Sequence, residues 1–234
     1  MAKRLATMIA GALLLISGGW SSISDAQDAG PELDLALALA IDCSFSVDEK
    51  EFQLQMQGLG SALADPLVAE AIAGGAKGRI AIIVYQWSDN ESQGVALPWT
   101  VIDASVDAEA LGRKVAALPR SIPQGGTAIS SALIFGAALL NLAPAAERQV
   151  IDLSTDGRNN LGGPAPSARN TVVARGITIN GLAITTEWPK LDLYLESQVT
   201  GGPGNFVIKA AGYDDFGAAM LKKLVKEITG PGVT

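Results

Sequence analysis

The sequence predicts one doubly wound α/β domain, a mostly parallel sheet with helices packed on both faces. Three observations predict it. Strand-like and helix-like segments alternate from end to end, with no internal repeat and no linker. The segments "LDLALALAI" (33–41) and "RIAIIVYQW" (79–87) are apolar on both faces, the pattern of strands covered from both sides. The 234 residues are 48% hydrophobic and only 18% charged, enough apolar surface for one sizeable core.

In residues 33–41 Leu and Ala alternate, and the Ala face would let a helix approach closely. Residues 48–64 space Phe52, Met56, Leu59 and Leu63 near the helical repeat. Pro66 and the glycines of "AGG" punctuate the next stretch, before the strand at 79–87. Residues 94–102 form a third strand, and Pro98 places it at or near an edge. A helix at 107–118 stops before Pro119. "IPQGGTAISSALIFGAALLNL" is a glycine loop running into a strongly apolar helix. "RQVIDLSTDG" (148–157) is a strand ending in a polar turn, and "SARNTVVARG" a helix with Gly176 just past its end. Strands at 177–185 and 204–210 and a helix at 213–228 complete the domain, which spans 30–229 and leaves a short tail at 230–234.

The first 26 residues read as an export signal. Lys3 and Arg4 precede the apolar stretch "LATMIAGALLLIS", and small residues lead to "SDA" at 24–26. The stretch is shorter than the roughly 20 residues of a transmembrane anchor. The expected location is therefore periplasmic or extracellular, with no transmembrane anchor. The formal net charge of −7 becomes more negative by one when Lys3, Arg4 and Asp25 are removed. Such a surface repels nucleic acid, and no basic cluster argues otherwise.

Cys43 is the only cysteine, so no intramolecular disulfide forms, and a buried apolar role is expected for it. There is no histidine. That excludes Ser-His-Asp and Cys-His catalysis and His-ligated zinc, and leaves oxygen-ligand metal chemistry open. Trp87, Trp99 and Trp188 read as core or sheet-edge aromatics, because no polar cluster accompanies them.

The polar residues of interest sit in loops that come after strands, where ligands bind in doubly wound sheets. Asp42, Ser44 and Ser46 come after the first strand at alternate positions. Thr127 comes after Gly125 and Gly126 and opens a helix. Asp156 comes after "VIDLS" and precedes Gly157. A hard dication such as Mg²⁺ takes six oxygens. Hydroxyls of Ser44, Ser46 and Thr127 are neutral direct ligands, while Asp42 and Asp156 hold the charge directly or through water. Mostly neutral ligands leave the ion electron-poor, with room for a carboxylate from a protein or other acidic partner. Each segment also has an ordinary reading. Ser46 with Glu49 fits a capping box, Thr127 fits an N-cap, and "TDG" fits a turn. Three such segments in the right order favour the ion. Asn159 and Asn160 either line the rim of the site or turn the chain into the next helix.

"DCSFS", the Thr of "GGT" and the Asp of "STDG" resemble the metal-ion-dependent adhesion site of von Willebrand factor A-type domains. "STDGRNN", "GITINGLAI" and "GGPGNFV" are similar to an exported bacterial family of such domains whose function is unknown. The resemblance covers nearly the whole chain after the signal and implies a Rossmann-like A-type fold. It also implies a metal site at Asp42, Ser44, Ser46, Thr127 and Asp156 for Mg²⁺, with Mn²⁺ or Ca²⁺ as alternatives. Where the family often has Gly between the serines this chain has Phe45, a further candidate for ligand contact. The expectation is a non-enzymatic binding module. Two other classes compete with it, a structural subunit with a vestigial site and a Mg²⁺-dependent phosphoryl-transfer hydrolase. The hydrolase needs a second acid two residues after Asp42 as general acid, and Ser44 stands there.

Overall fold

A computed structural model describes residues 32–230. The expected signal at 1–26 and residues 231–234 of the expected tail lie outside them. The sheet has six strands in the order β3-β2-β1-β4-β5-β6. These are β1 (Leu33–Asp42), β2 (Ile80–Trp87), β3 (Gln93–Ile102), β4 (Ala146–Thr155), β5 (Thr178–Ile184) and β6 (Val207–Ala210). Every neighbouring pair is parallel except β2 and β3. Pro98 lies on the edge strand β3, where the register to β2 shifts between Ile82 and Val84, so its missing N–H removes no central ladder bond.

The two faces of β1 are built differently. Leu35, Leu37, Leu39 and Ile41 share a core with Phe52, Met56 and Leu59 of α1 (Glu49–Leu63). Phe216, Met220 and Leu224 of α7 (Phe216–Thr229) complete that layer. Burying each Leu contributes about 1.5–3 kcal/mol. On the other face Ala36, Ala38 and Ala40 pack with Ile129, Ala132, Leu133 and Ala137 of α4 (Ile129–Leu140). The short Ala side chains bring α4 close to the sheet, as the alternation in β1 predicts. Helix α5 (Ala165–Val173) lies on the same face.

Two helices depart from the sequence pattern. Pro66 is not a stop; it sits at the start of α2 (Pro66–Ala73), where its fixed φ suits a first turn and Asp65 caps the helix. Residues between β5 and β6 form α6 (Leu191–Tyr194), which continues as one wider turn over Leu195–Val199. Helix α3 (Ala108–Ala116) starts after Asp107, as expected, and packs against α1.

The strand order reverses direction at the β1–β4 junction, so the carboxyl ends of those two strands open a crevice between them. Asp42 is the last residue of β1, and Asp156 comes directly after β4.

Candidate metal centre

Four of the five expected ligands form one hydrogen-bonded chain. The Ser44 N–H donates to Asp42 Oδ1 at 2.8 Å, which curls the backbone just after β1. Ser44 Oγ and Ser46 Oγ lie 3.2 Å apart, and Ser46 Oγ donates to Asp156 Oδ1 at 2.7 Å. Thr127 enters from the start of α4: a Cβ placed on Gly157 would lie 3.3 Å from its Oγ1. The fifth ligand therefore sits against the residue next to Asp156.

Both Ser46 and Thr127 are free of the capping roles that competed for them. Asp48, not Ser46, caps α1: its side chain accepts from the Glu51 N–H, and Glu51 Oε2 accepts from the Asp48 N–H, each at 2.8 Å. At α4 the cap position belongs to Ala128, with no side-chain cap of its own. Asn159 Oδ1 accepts from the Ser130 N–H at 3.1 Å instead, and Asn160 Oδ1 accepts from the Thr127 N–H at 2.8 Å. Asn159 and Asn160 thus tie the loop after β4 to the start of α4. Asn160 also stays exposed, and its Nδ2 donates to Thr127 Oγ1 at 3.3 Å.

Four residues unmarked by the sequence complete the surroundings. Thr155 Oγ1 donates to Asp42 Oδ2 at 2.6 Å. Tyr213 Oη donates to Asp156 Oδ2 at 2.9 Å, and burial, then the charges of Asp156 and Asp42, push its phenol well above the usual range. Arg120 holds the ligand loop by its carbonyls, donating to Cys43, Val47 and Asp48 at 3.0–3.1 Å. Gln124 Nε2 adds a bond to the Val47 carbonyl, and the Phe45 N–H donates to Gly125 O. Phe45 itself points outward and is 73% exposed.

Asp42 and Asp156 are buried, and among the described residues no lysine or arginine pairs with either. Burial, and then the charge of Asp156, push the Asp42 carboxyl up to about 7. A dication relieves both effects at once. Among the described residues no three acidic or cysteine side chains gather at one point, which leaves hydroxyl oxygens as the remaining donors. The residues present therefore fit a hard, oxygen-loving ion. Cys43 faces away from this set; it is buried, and burial pushes its thiol up to about 12, which leaves it inert.

A family model described as "Protein of unknown function (DUF1194)" matches residues 32–232. The chain belongs to that family. No curated protein matches this DUF1194 member. Its structure is similar to that of proximal thread matrix protein 1 from the mussel byssus, solved with a zinc-occupied MIDAS motif. The identity is 19% and the TM-score 0.60, over 86% of this chain and 49% of that one. It is also similar to a von Willebrand factor type A protein from Catenulispora acidiphila, at 16% identity and TM-score 0.54, over 84% and 43% of the two chains. A third similar structure is the von Willebrand domain of the type V pili tip protein Mfa5 from Porphyromonas gingivalis, at 13% identity and TM-score 0.55, over 86% and 98%. The chain spans about half the length of the first two. The DUF1194 chain thus has the von Willebrand factor A-type fold.

One expectation is corrected. Trp87 is buried, but Trp188 is 45% exposed and a polar partner does accompany it: Arg158 stacks on its ring. That partner lies 30 residues earlier in the chain, where no local pattern reveals it.

Proposed function

We propose that this DUF1194 chain is an exported, metal-dependent binding module that recognises a protein or other acidic ligand through a carboxylate bridged by Mg²⁺, with Mn²⁺ or Ca²⁺ as substitutes. One observation carries the reading: two buried carboxylates without a cationic partner, joined by serine hydroxyls at the crevice of the sheet. Ser44, Ser46 and Thr127 would hold the ion by hydroxyl oxygens, and Asp42 and Asp156 directly or through water. The bound ion supplies a strong, directional contact for a carboxylate. Phe45 and Asn160 stand on the rim around it. The zinc-occupied motif of the mussel protein and the pilus-tip setting of Mfa5 support the same reading.

No catalytic residue is assigned, because the position two after Asp42 is Ser44, which cannot serve as the general acid of a phosphoryl-transfer site. Export rests on residues 1–26; a mature protein from the native host should begin near Gln27, and N-terminal sequencing that finds Met1 retained refutes it. Among the described residues no helix is long and apolar enough to cross a membrane.

Calorimetry tests the centre. Saturating Mg²⁺ or Mn²⁺ should raise the melting temperature of EDTA-treated protein by roughly 5–10 °C, from about 2.7 kcal/mol at a hundredfold excess over Kd. Asp156→Asn should abolish the rise and leave the metal-free protein at least as stable, since the amide oxygen still accepts from Tyr213. An unchanged wild-type midpoint at millimolar metal refutes the reading.

A further inference from the structure

Arg158 lies two residues beyond Asp156, so their Cα atoms are at most about 7 Å apart. Its guanidinium carbon sits 4.6 Å from the Trp188 ring centroid and 5.5 Å from that of Tyr194. Tyr194 is itself fixed, its Oη accepting from the Asn159 N–H at 3.3 Å. Arg158 is exposed, and no carboxylate pairs with it among the described residues. Arg79, Arg113 and Arg120 each pair with an acid, and Arg148 and Arg169 donate to backbone carbonyls; Arg175, like Arg158, has no acid partner among the described residues.

Stacking uses the flat face of a guanidinium and leaves its edge of N–H donors free. That edge matches a carboxylate in the two-point, fork-to-fork manner. Two aromatic rings that hold the side chain reduce the ordering cost of such a contact. Tyr213, bonded to Asp156, leads to a recess lined by Asp48, Glu51 and Asp214 together with Lys50. In a chain of net charge −7, Arg158 is a cation held by two aromatic rings two residues from Asp156.

We propose that Arg158 is a ligand-binding residue that takes a second carboxylate of the same partner. The site then selects acidic peptide segments with two acid side chains one to three residues apart, one for the metal centre and one for the guanidinium. This rests on the metal-centre reading and deepens it. Trp188 and Tyr194 are positioning residues that keep the donor edge turned outward.

Peptide display on immobilised protein in Mn²⁺, with elution by EDTA, tests this. Wild type should enrich peptides with two closely spaced acids. Arg158→Gln should bind the enriched peptides about tenfold more weakly, as loss of a charge-assisted bond implies. It should no longer discriminate them from versions with one acid changed to its amide. Trp188→Ala should show a smaller loss. Wild type and Arg158→Gln should bind Mn²⁺ with the same stoichiometry, which reports that the variant is folded with its centre intact. Enrichment of single-acid peptides, equal binding by Arg158→Gln, or no enrichment each overturns the proposal. The metal-centre reading stands or falls separately, on whether wild type binds Mn²⁺ at all.

Discussion

Two pairs of buried acids occupy the same strand region and are handled differently. At the carboxyl end, Asp42 and Asp156 are held by Ser44, Thr155, Ser46 and Tyr213, all neutral donors. Further back along β4, Asp152 Oδ1 lies 2.7 Å from Lys223 Nζ, and the same nitrogen lies 2.6 Å from Glu227 Oε1. Asn180 Nδ2 also donates to Glu227 at 2.9 Å. All three charged residues are almost fully buried. Burial, and then the charge of Asp152, push the Glu227 carboxyl up to about 8. The inner cluster brings its own cation, and the outer one does not. The difference teaches what burial alone cannot: a buried acid cluster points outward to a ligand only when the chain has not supplied the counter-charge.

The comparison can be broken at either end. The largest effect is expected at Lys223. Lys223→Met leaves two acids without their cation and should cost about 3–5 kcal/mol in urea denaturation. A loss below about 1 kcal/mol would show that the inner cluster is not held by its lysine. Metal comes next. Its stabilisation of about 2.7 kcal/mol at a hundredfold excess should be the same in Lys223→Met as in wild type, because the clusters have no side chain in common.

A further effect is in pH. The folded Glu227 carboxyl titrates at about 8, above its ordinary value of 4.5. Folding therefore retains a proton that the unfolded chain gives up. The contribution is complete below about pH 4.5 and is lost as pH rises through about 8. Metal-free wild type should become less stable over that window, in which the raised Asp42 carboxyl also titrates, and Glu227→Gln should reduce the slope without removing it. An equal slope in both proteins would place the titration elsewhere.

The fold was legible because its signals are local. The Leu/Ala alternation of β1 announced both its burial and the close approach of α4. Pro98 marked the edge. The convergence of the candidate ligands was legible because Asp42 ends β1 with Ser44 and Ser46 just after it, and Thr127 and Asp156 stand in the loops before α4 and after β4. The features that stayed hidden depend on residues far apart in the chain or on helix register. Nothing in "KKLVKE" marks Lys223 and Glu227 as the residues that turn inward, where Lys223 meets Asp152 of another element. The cap at α1 fell to Asp48 and not to Ser46, two residues away, and only the register of the helix decides that. Pro66 reads equally well as an end or a beginning, and Asp65 decides for the beginning.

The grip of Arg120 and Gln124 on the loop after β1 has a consequence for how the centre works in time. With the Cys43, Val47 and Asp48 carbonyls held by side chains, and the Cys43, Phe45 and Val47 amides bonded to Trp87, Gly125 and Ser44, few torsions are left to settle when an ion arrives. The disorder of that loop is removed during folding and not at capture. On the proposed reading, ion uptake would approach a local exchange of water for hydroxyl oxygen, with little change in heat capacity.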